Sequence, residues 1–313
     1  MKYHIKNAKF VVDGHRGSAS LRNLLKWQFG GGRVKWPTHV ENQRYPAPPR
    51  KVDGDTLLAT WIGHSTVLLQ TSGLNILTDP FFSKRASPSQ IVGPARVRGA
   101  GVAMADLPPI DLILLSHNHY DHMDRSALKN LASAHRPLVL TPLKNGTYVP
   151  SVLMQEMDWR ATIEFKNLKV TLMPALHWSK RSFNDTNHAL WGAFVIQTQT
   201  GVIYFAGDTG YGNGSAFREV KARFGPPRLA LLPIGAYEPR WFMKPQHMNP
   251  QEAVQAHLDL GSQTSLAIHH STIQLTDEAI DAPLIALQTA LQSVDAGPTS
   301  FVACEVGETL RVT

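Results

Sequence analysis

The feature that most constrains this chain is a set of short apolar runs that each stop at a histidine or an aspartate. The sharpest case is IDLILLSHNHYDHMD, residues 110–124, where the run from Ile110 to Leu115 gives way to His117, His119, Asp121, His122 and Asp124. The same stop recurs in KVTLMPALH at His177, in GVIYFAGD at Asp208 and in SLAIH at His269. LNILTD adds Asp79, just before Pro80. Uninterrupted apolar runs of this length suit strands buried on both faces. A sheet made of them gathers the side chains that follow along one edge.

Further runs of the same kind are LLATWIG, STVLLQT, PLVLT, AFVIQTQTGVIYF, LALLPI and SFVACEVGETLRV. Helices fall between them. DRSALKNLASAH has Asp124 as a cap, and APLIALQTALQS is another helix. NPQEAVQAHLDLG carries Asn249 as N-cap, Pro250 in the first turn, Glu252 at the third position and Gly261 as the stop. Hairpin-like strand pairs mixed with helices predict two sheets packed together with helices outside, an α/β class. Residues 1–55 read as an irregular arm before a catalytic domain of residues 56–313. One helix is expected in the arm, SASLRNLLKWQFGG, with Ser20 as cap and Leu21, Leu24 and Leu25 on one face. Arg22 and Lys26 flank that face, so it can lie on a membrane surface or pack on its own domain.

Imidazole and carboxylate are ligands that zinc, manganese and iron accept without thiolate. One core histidine is ordinarily just hydrogen-bonded. Three histidines and an aspartate at H-x-H-x-D-H spacing on a turn are not so explained, because burying them without a metal leaves many polar atoms unpartnered. His177, Asp208 and His269 extend the set to the six or seven ligands that two metals require. Asp79 is better suited to orienting a ligand histidine than to binding metal. His64 in GHST follows a strand and reads equally as a supporting partner of the ligands or as a structural residue. His188 and His270 are not expected to be ligands.

The order H-x-H-x-D-H, lone His, G-D and final His resembles the metallo-β-lactamase superfamily. The resemblance implies a four-layer αββα sandwich. It implies one metal on His117, His119 and His177, a second on Asp121, His122 and His269, and Asp208 bridging. A narrower resemblance rests on TWIGHSTVLLQ, LTDPFFSKRASPSQIVGPARVR, HWSKR, FAGDTGYG and PIGAYEPRWFMKPQHMNPQEAV. These segments are similar to the N-acylphosphatidylethanolamine-hydrolysing phospholipase D family over residues 56–275. That family implies a dinuclear phosphodiesterase in which a metal-bridging hydroxide attacks phosphorus, with two divalent ions, zinc first and iron or manganese as alternatives. Asp121 and His247 are then catalytic. Tyr237, Glu238, Arg240, Trp241 and Lys244 are expected to touch substrate. The competing expectations are a lactone or carboxylic-ester hydrolase on the same metals and, less favoured, a binding protein without turnover.

A formal charge of +7 permits anionic partners such as lipid head groups. No RNP, zinc-finger or helix-turn-helix pattern is present, so nucleic acid is set aside. The resemblance implies a phospholipid or other phosphodiester substrate, peripheral contact with a membrane, and a homodimer. No signal peptide or membrane span is expected, which fits a cytoplasmic place. The single cysteine, Cys304, cannot form an internal disulfide and is expected to be buried in the last strand.

Overall fold

A computed structural model describes residues 1–12, 21–294 and 300–313. Ser20, expected as a helix cap, lies outside the described residues. The first large sheet takes β3 (Leu57–Gly63), β4 (Thr66–Thr71), β5 (Leu74–Thr78), β6 (Leu112–Leu114), β7 (Leu138–Pro142) and β8 (Met154–Met157), with β16 (Thr309–Val312) outside β3. The second runs through β9 (Thr162–Phe165), β10 (Leu168–Met173), β11 (Ala193–Thr198), β12 (Gly201–Phe205), β13 (Leu229–Pro233), β14 (Thr264–Ile268) and β15 (Ser300–Val302). A separate hairpin joins β1 (Tyr3–Lys6) and β2 (Lys9–Val12).

The two sheets face each other. Leu69, Ile76 and Leu112 of the first share a buried core with Leu172, Phe194 and Leu231 of the second. The side chains of alternate residues face outward and meet helices. Leu77, Ile113 and Val139 pack under Leu128 and Leu131 of α2 (Arg125–His135). Tyr204, Ala230 and Leu232 pack under Phe217 of α3 (Ser215–Phe224), Val254 of α5 (Pro250–Leu260) and Leu287 of α6 (Ala282–Gln292). This is the αββα sandwich. Both faces of the central strands are covered, which explains why Leu112, Ile113 and Leu114 are all fully buried and the sequence does not alternate there. Each such side chain contributes about 1.5–3 kcal/mol by leaving water.

Strand direction positions the site. β5 to β8 run parallel, as do β12 to β15. β10 is antiparallel to β11 and β11 to β12, so β10 runs the same way as β12. The carboxyl ends of β6, β10, β12 and β14 therefore open on one rim of the sandwich.

Helix ends follow the sequence chemistry. Asp124 caps α2 by accepting from the Ser126 and Ala127 amides. Asn249 and Glu252 form a reciprocal capping box on α5, and Gly261 ends it at φ 62°. Several elements depart from expectation. The first residues of the supposedly irregular arm form the β1–β2 hairpin, which buries Phe10 and Val12 in the inter-sheet core. β8 and β9 are four residues each and mix polar with apolar side chains, so uninterrupted apolar runs did not reveal them. Cys304 is buried, but in the connection between β15 and β16 rather than in a strand, because the last apolar run is broken into two strands of different sheets.

Candidate metal centre

The turn after β6 curls because His122 and Met123 amides both return to the His119 carbonyl. That curl brings His117, His119, Asp121 and His122 to the same rim, whereas an extended strand would point alternate residues apart. His117 Nε2 and His119 Nδ1 lie 2.8 Å apart, and His177 Nε2 lies 3.2 Å from the same His119 nitrogen. A second group joins Asp121, His122 and His269, with Asp121 Oδ2 3.3 Å from His122 Nε2 and 3.5 Å from His269 Nε2. Asp208 stands between the groups. Its Oδ2 is 3.1 Å from His122 Nε2, 3.2 Å from His269 Nε2, 3.7 Å from His177 Nε2 and 3.9 Å from His117 Nε2.

The far sides of these rings are already taken. His122 Nδ1 meets Asp79 Oδ2 at 2.6 Å, and His117 Nδ1 meets Ser116 Oγ at 2.9 Å. Ser116 itself donates to Asp79 through both its amide and its hydroxyl. His177 Nδ1 is 3.1 Å from the Gln246 carbonyl. Rings oriented in this way turn their remaining nitrogens inward, which is how outer partners fix metal-ligating histidines. Inside, His122 Nε2, His269 Nε2 and Asp208 Oδ1 are buried with no hydrogen-bond partner among the described residues. Two ring nitrogens and a carboxylate oxygen buried together without partners are costly unless a cation sits between them. Donors on one ion bound at about 2.0–2.1 Å stand about 3–3.5 Å apart, so the spacing fits divalent metal.

Electrostatics points the same way. Burial works against charging His269, yet Asp208 and Asp121 push it up to about 9. His119 and His247 are lowered to about 4, in each case chiefly by burial. Asp121 and Asp208 stay well below the usual carboxylate range despite burial, because His122 and its neighbours favour their charged forms. His64 is buried, is lowered to about 3 mainly by burial, and places Nε2 2.8 Å from Asp121 Oδ2. His270 turns away and stacks on Trp61.

The centre lies at the floor of a cleft of about 730 Å³. His119, Asp121, Asp208 and His247 face it, together with an apolar wall that includes Trp178, Phe242 and Met243. His247 sits 5.1 Å from the His177 ring and 5.5 Å from the His269 ring, centre to centre. None of the five expected substrate contacts lines this cleft. Tyr237 is buried, and Trp241 is half exposed. Arg240 instead braces the loop, donating to Glu252 at 2.7 Å and to the Tyr237 and His247 carbonyls. The reason is that Arg240–Met243 form the short helix α4, which turns Phe242 and Met243 toward the cleft and Trp241 outward. Glu278, not singled out in the sequence, accepts from the Ala236, Tyr237 and Glu238 amides and holds this loop in place. Ser116 carries no chemical motif of its own; its position directly before His117 is the one signal the sequence offers for it.

Residues 74–270 match the family described as a beta-lactamase superfamily domain. The chain belongs to the metallo-β-lactamase superfamily. Its curated relatives narrow the branch. It is 36% identical over 267 residues to the N-acyl-phosphatidylethanolamine-hydrolyzing phospholipase D 1 of Caenorhabditis elegans, covering 80% of this chain and 75% of that one. It is 38% identical over 231 residues to the mitochondrial N-acyl-phosphatidylethanolamine-hydrolyzing phospholipase D of Saccharomyces cerevisiae, spanning 70% of this chain but only 48% of the yeast protein. An uncharacterized protein of Mycobacterium tuberculosis is 39% identical and is covered over 65% of its length. Among solved structures, an isothiocyanate hydrolase from Delia radicum gut bacteria superposes with a TM-score of 0.63 at 21% identity, covering 81% of this chain and 98% of that one. This metallo-β-lactamase-fold chain is thus a metal-dependent hydrolase of the branch that holds these phospholipases. Among the described residues no helix is long and apolar enough to cross a membrane.

Proposed function

We propose that the chain is a dinuclear-metal phosphodiester hydrolase of phospholipase D type, acting on N-acylphosphatidylethanolamine-like phospholipids. The observation that carries this reading is the meeting of an all-histidine group, His117, His119 and His177, and a histidine–aspartate group, Asp121, His122 and His269, around Asp208 at the base of a mostly apolar cleft. His117, His119 and His177 would hold one ion, Asp121, His122 and His269 the second, and Asp208 both. Zinc is the ion proposed first, and the nitrogen and oxygen donors accept iron or manganese as well. When bound, such a pair supplies Lewis acidity toward a phosphoryl oxygen and acidifies water to act as nucleophile.

The residues of the chain do the remainder. Asp121, fixed by His64 Nε2, orients the attacking water and accepts its hydrogen bond. His247, kept neutral by burial, bonds a phosphoryl oxygen or the leaving oxygen from the cleft side. The water oxygen forms a bond to phosphorus as the bond from phosphorus to the ethanolamine oxygen breaks. That oxygen takes up a proton, giving N-acylethanolamine and phosphatidic acid. Apolar walls receive acyl chain. Phe183, on the cleft wall at 96% exposure, and Trp241, turned outward at 50%, suit peripheral contact with a lipid surface.

The test is product analysis on N-acylphosphatidylethanolamine vesicles, beside bis-p-nitrophenyl phosphate and a lactone panel, with metal content measured on the same sample. Release of N-acylethanolamine with about two metals per chain is expected. Lactone turnover without diester cleavage would overturn the reading in favour of ester chemistry.

A further inference from the structure

The metal end of the cleft is built by residues between Asp79 and His269, but one of its walls is not. Leu24 and Trp27 of α1 (Leu21–Gln28) line the same cavity, as do Leu275 and Thr276. Leu24 and Trp27 are three residues apart and so share a helix face. An eight-residue helix does not persist in water by itself. Its position therefore depends on what it touches.

Those contacts are specific. The Trp27 ring stacks on Phe242 at 5.1 Å with planes 27° apart. Its Nε1 donates to Asp277 Oδ1 at 2.9 Å. Asp277 also pairs with Arg33 at 3.5 Å, and its carbonyl accepts from the Val34 amide. Trp36 Nε1 donates to the Glu278 carbonyl at 2.8 Å. Lys26 lies 4.9 Å from the Trp241 ring centre. The connection after α1 is thus pinned to residues 274–278, which themselves border the cleft, and Trp27 is held with its ring facing the reaction chamber. The segment matched by the family, residues 74–270, includes Phe242 but neither α1 nor Asp277.

We propose that Trp27, held by Phe242 and Asp277, is the residue of the N-terminal arm that sets acyl-chain selectivity, by closing the apolar end of the metal cleft. The proposal rests on the lipid reading given above for its substrate. A small diester reaching only the metals, Asp121 and His247 never meets this wall. A long acyl chain leaving the metals must run along it.

The experiment measures binding of N-acylethanolamines of increasing chain length to the metal-loaded protein by calorimetry, with bis-p-nitrophenyl phosphate turnover as control. In the wild type, affinity rises by up to about four-fold for each methylene the cleft buries. Trp27→Ala is expected to weaken palmitoyl-ethanolamine by about ten-fold and hexanoyl-ethanolamine by less than about two-fold, since only the longer chain loses apolar contact. Metal content and diester turnover stay at wild-type values. Trp27→Phe keeps the stack and most of the chain-length slope, and Asp277→Ala loses part of it by freeing the ring. Equal losses at every chain length, or no loss with the long chain, would overturn the proposal. A wild type with no chain-length dependence would overturn it too. Chain-length-dependent binding without lipid cleavage would remove the phospholipase reading and leave the role of Trp27 standing.

Discussion

The first sheet sends its metal-facing groups out of one short stretch after β6, whereas the second sends His177, Asp208 and His269 from the ends of three separate strands. In the first case the turn alone brings His117, His119, Asp121 and His122 together. In the second, nothing local does so, and the parallel sense of β10, β12 and β14 is what aligns the three ends. Yet each candidate group is mixed. His177 from the second sheet completes the pair His117 and His119, and His269 completes Asp121 and His122. A compact turn supplies density of candidate donors, and a sheet rim supplies closure around them. The centre consequently depends on how the two sheets pack, not on the turn alone.

Asp208 is the sharpest place to break this comparison, because its Oδ2 reaches histidines of both groups. Asp208→Asn is expected to lose hydrolysis by more than the about 10–100-fold that removal of a supporting partner costs, with metal content falling below two per chain by mass spectrometry. Retention of both metals and of turnover would show that the two groups are independent. Asp79→Ala comes next. It withdraws the partner of His122 Nδ1 and of Ser116 at once, so metal affinity should fall about 10–100-fold in a chelator titration. An unchanged affinity would mean that the turn holds its own rings.

Asp124→Ala tests the turn's far end. Asp124 caps α2 and also accepts from the Phe82 and Ser83 amides, so unfolding stability should drop by about 1–2 kcal/mol with metal content kept. Loss of metal with that variant would mean that the cap shapes the ligand turn. The smallest effect is on the second sheet's outer helix. Burial tends to raise the Glu219 pKa, but bonds from Arg160 overcome it and hold it below the ordinary 4.5. A depressed folded pKa gives stability that is present above the unfolded value and lost as pH falls through the folded one. Glu219→Gln should therefore cost less than about 1 kcal/mol at neutral pH, for a partly buried surface pair, and the gap to wild type should narrow as pH falls below about 4.5 in denaturation curves.

How far the sequence could be read follows from what each element depends on. The central strands were legible because burial on both faces leaves an unbroken apolar run, as in Leu112–Leu114. The caps at Asp124 and Asn249 were legible because a helix end needs a side chain to satisfy its free amides. β8 and β9 were not, since four-residue strands of mixed polarity at a sheet margin bury few side chains and hold no unbroken apolar run. The same holds for the hairpin of residues 3–12, which gains its place only through Phe10 and Val12 reaching a distant core. Among candidate site residues, type and spacing marked those that hold charge or lone pairs. They did not mark Glu278, Ser116 or Leu24, whose positions depend on partners far along the chain.

By itself, then, the order of residues determined the chemistry on offer. H-x-H-x-D-H on a turn, with His and Asp at later strand ends, offers a donor set suited to a divalent cation. The tertiary structure decided which nitrogen of each ring faces inward, because that depends on outer partners such as Asp79 and the Gln246 carbonyl. It decided that the helix Arg240–Met243 turns Phe242 toward the cleft and leaves Arg240 bracing the loop. It also brought Trp27 against Phe242. These are contacts between residues distant in the chain, and their free energy comes from apolar surface and hydrogen bonds that exist only once the sheets have packed.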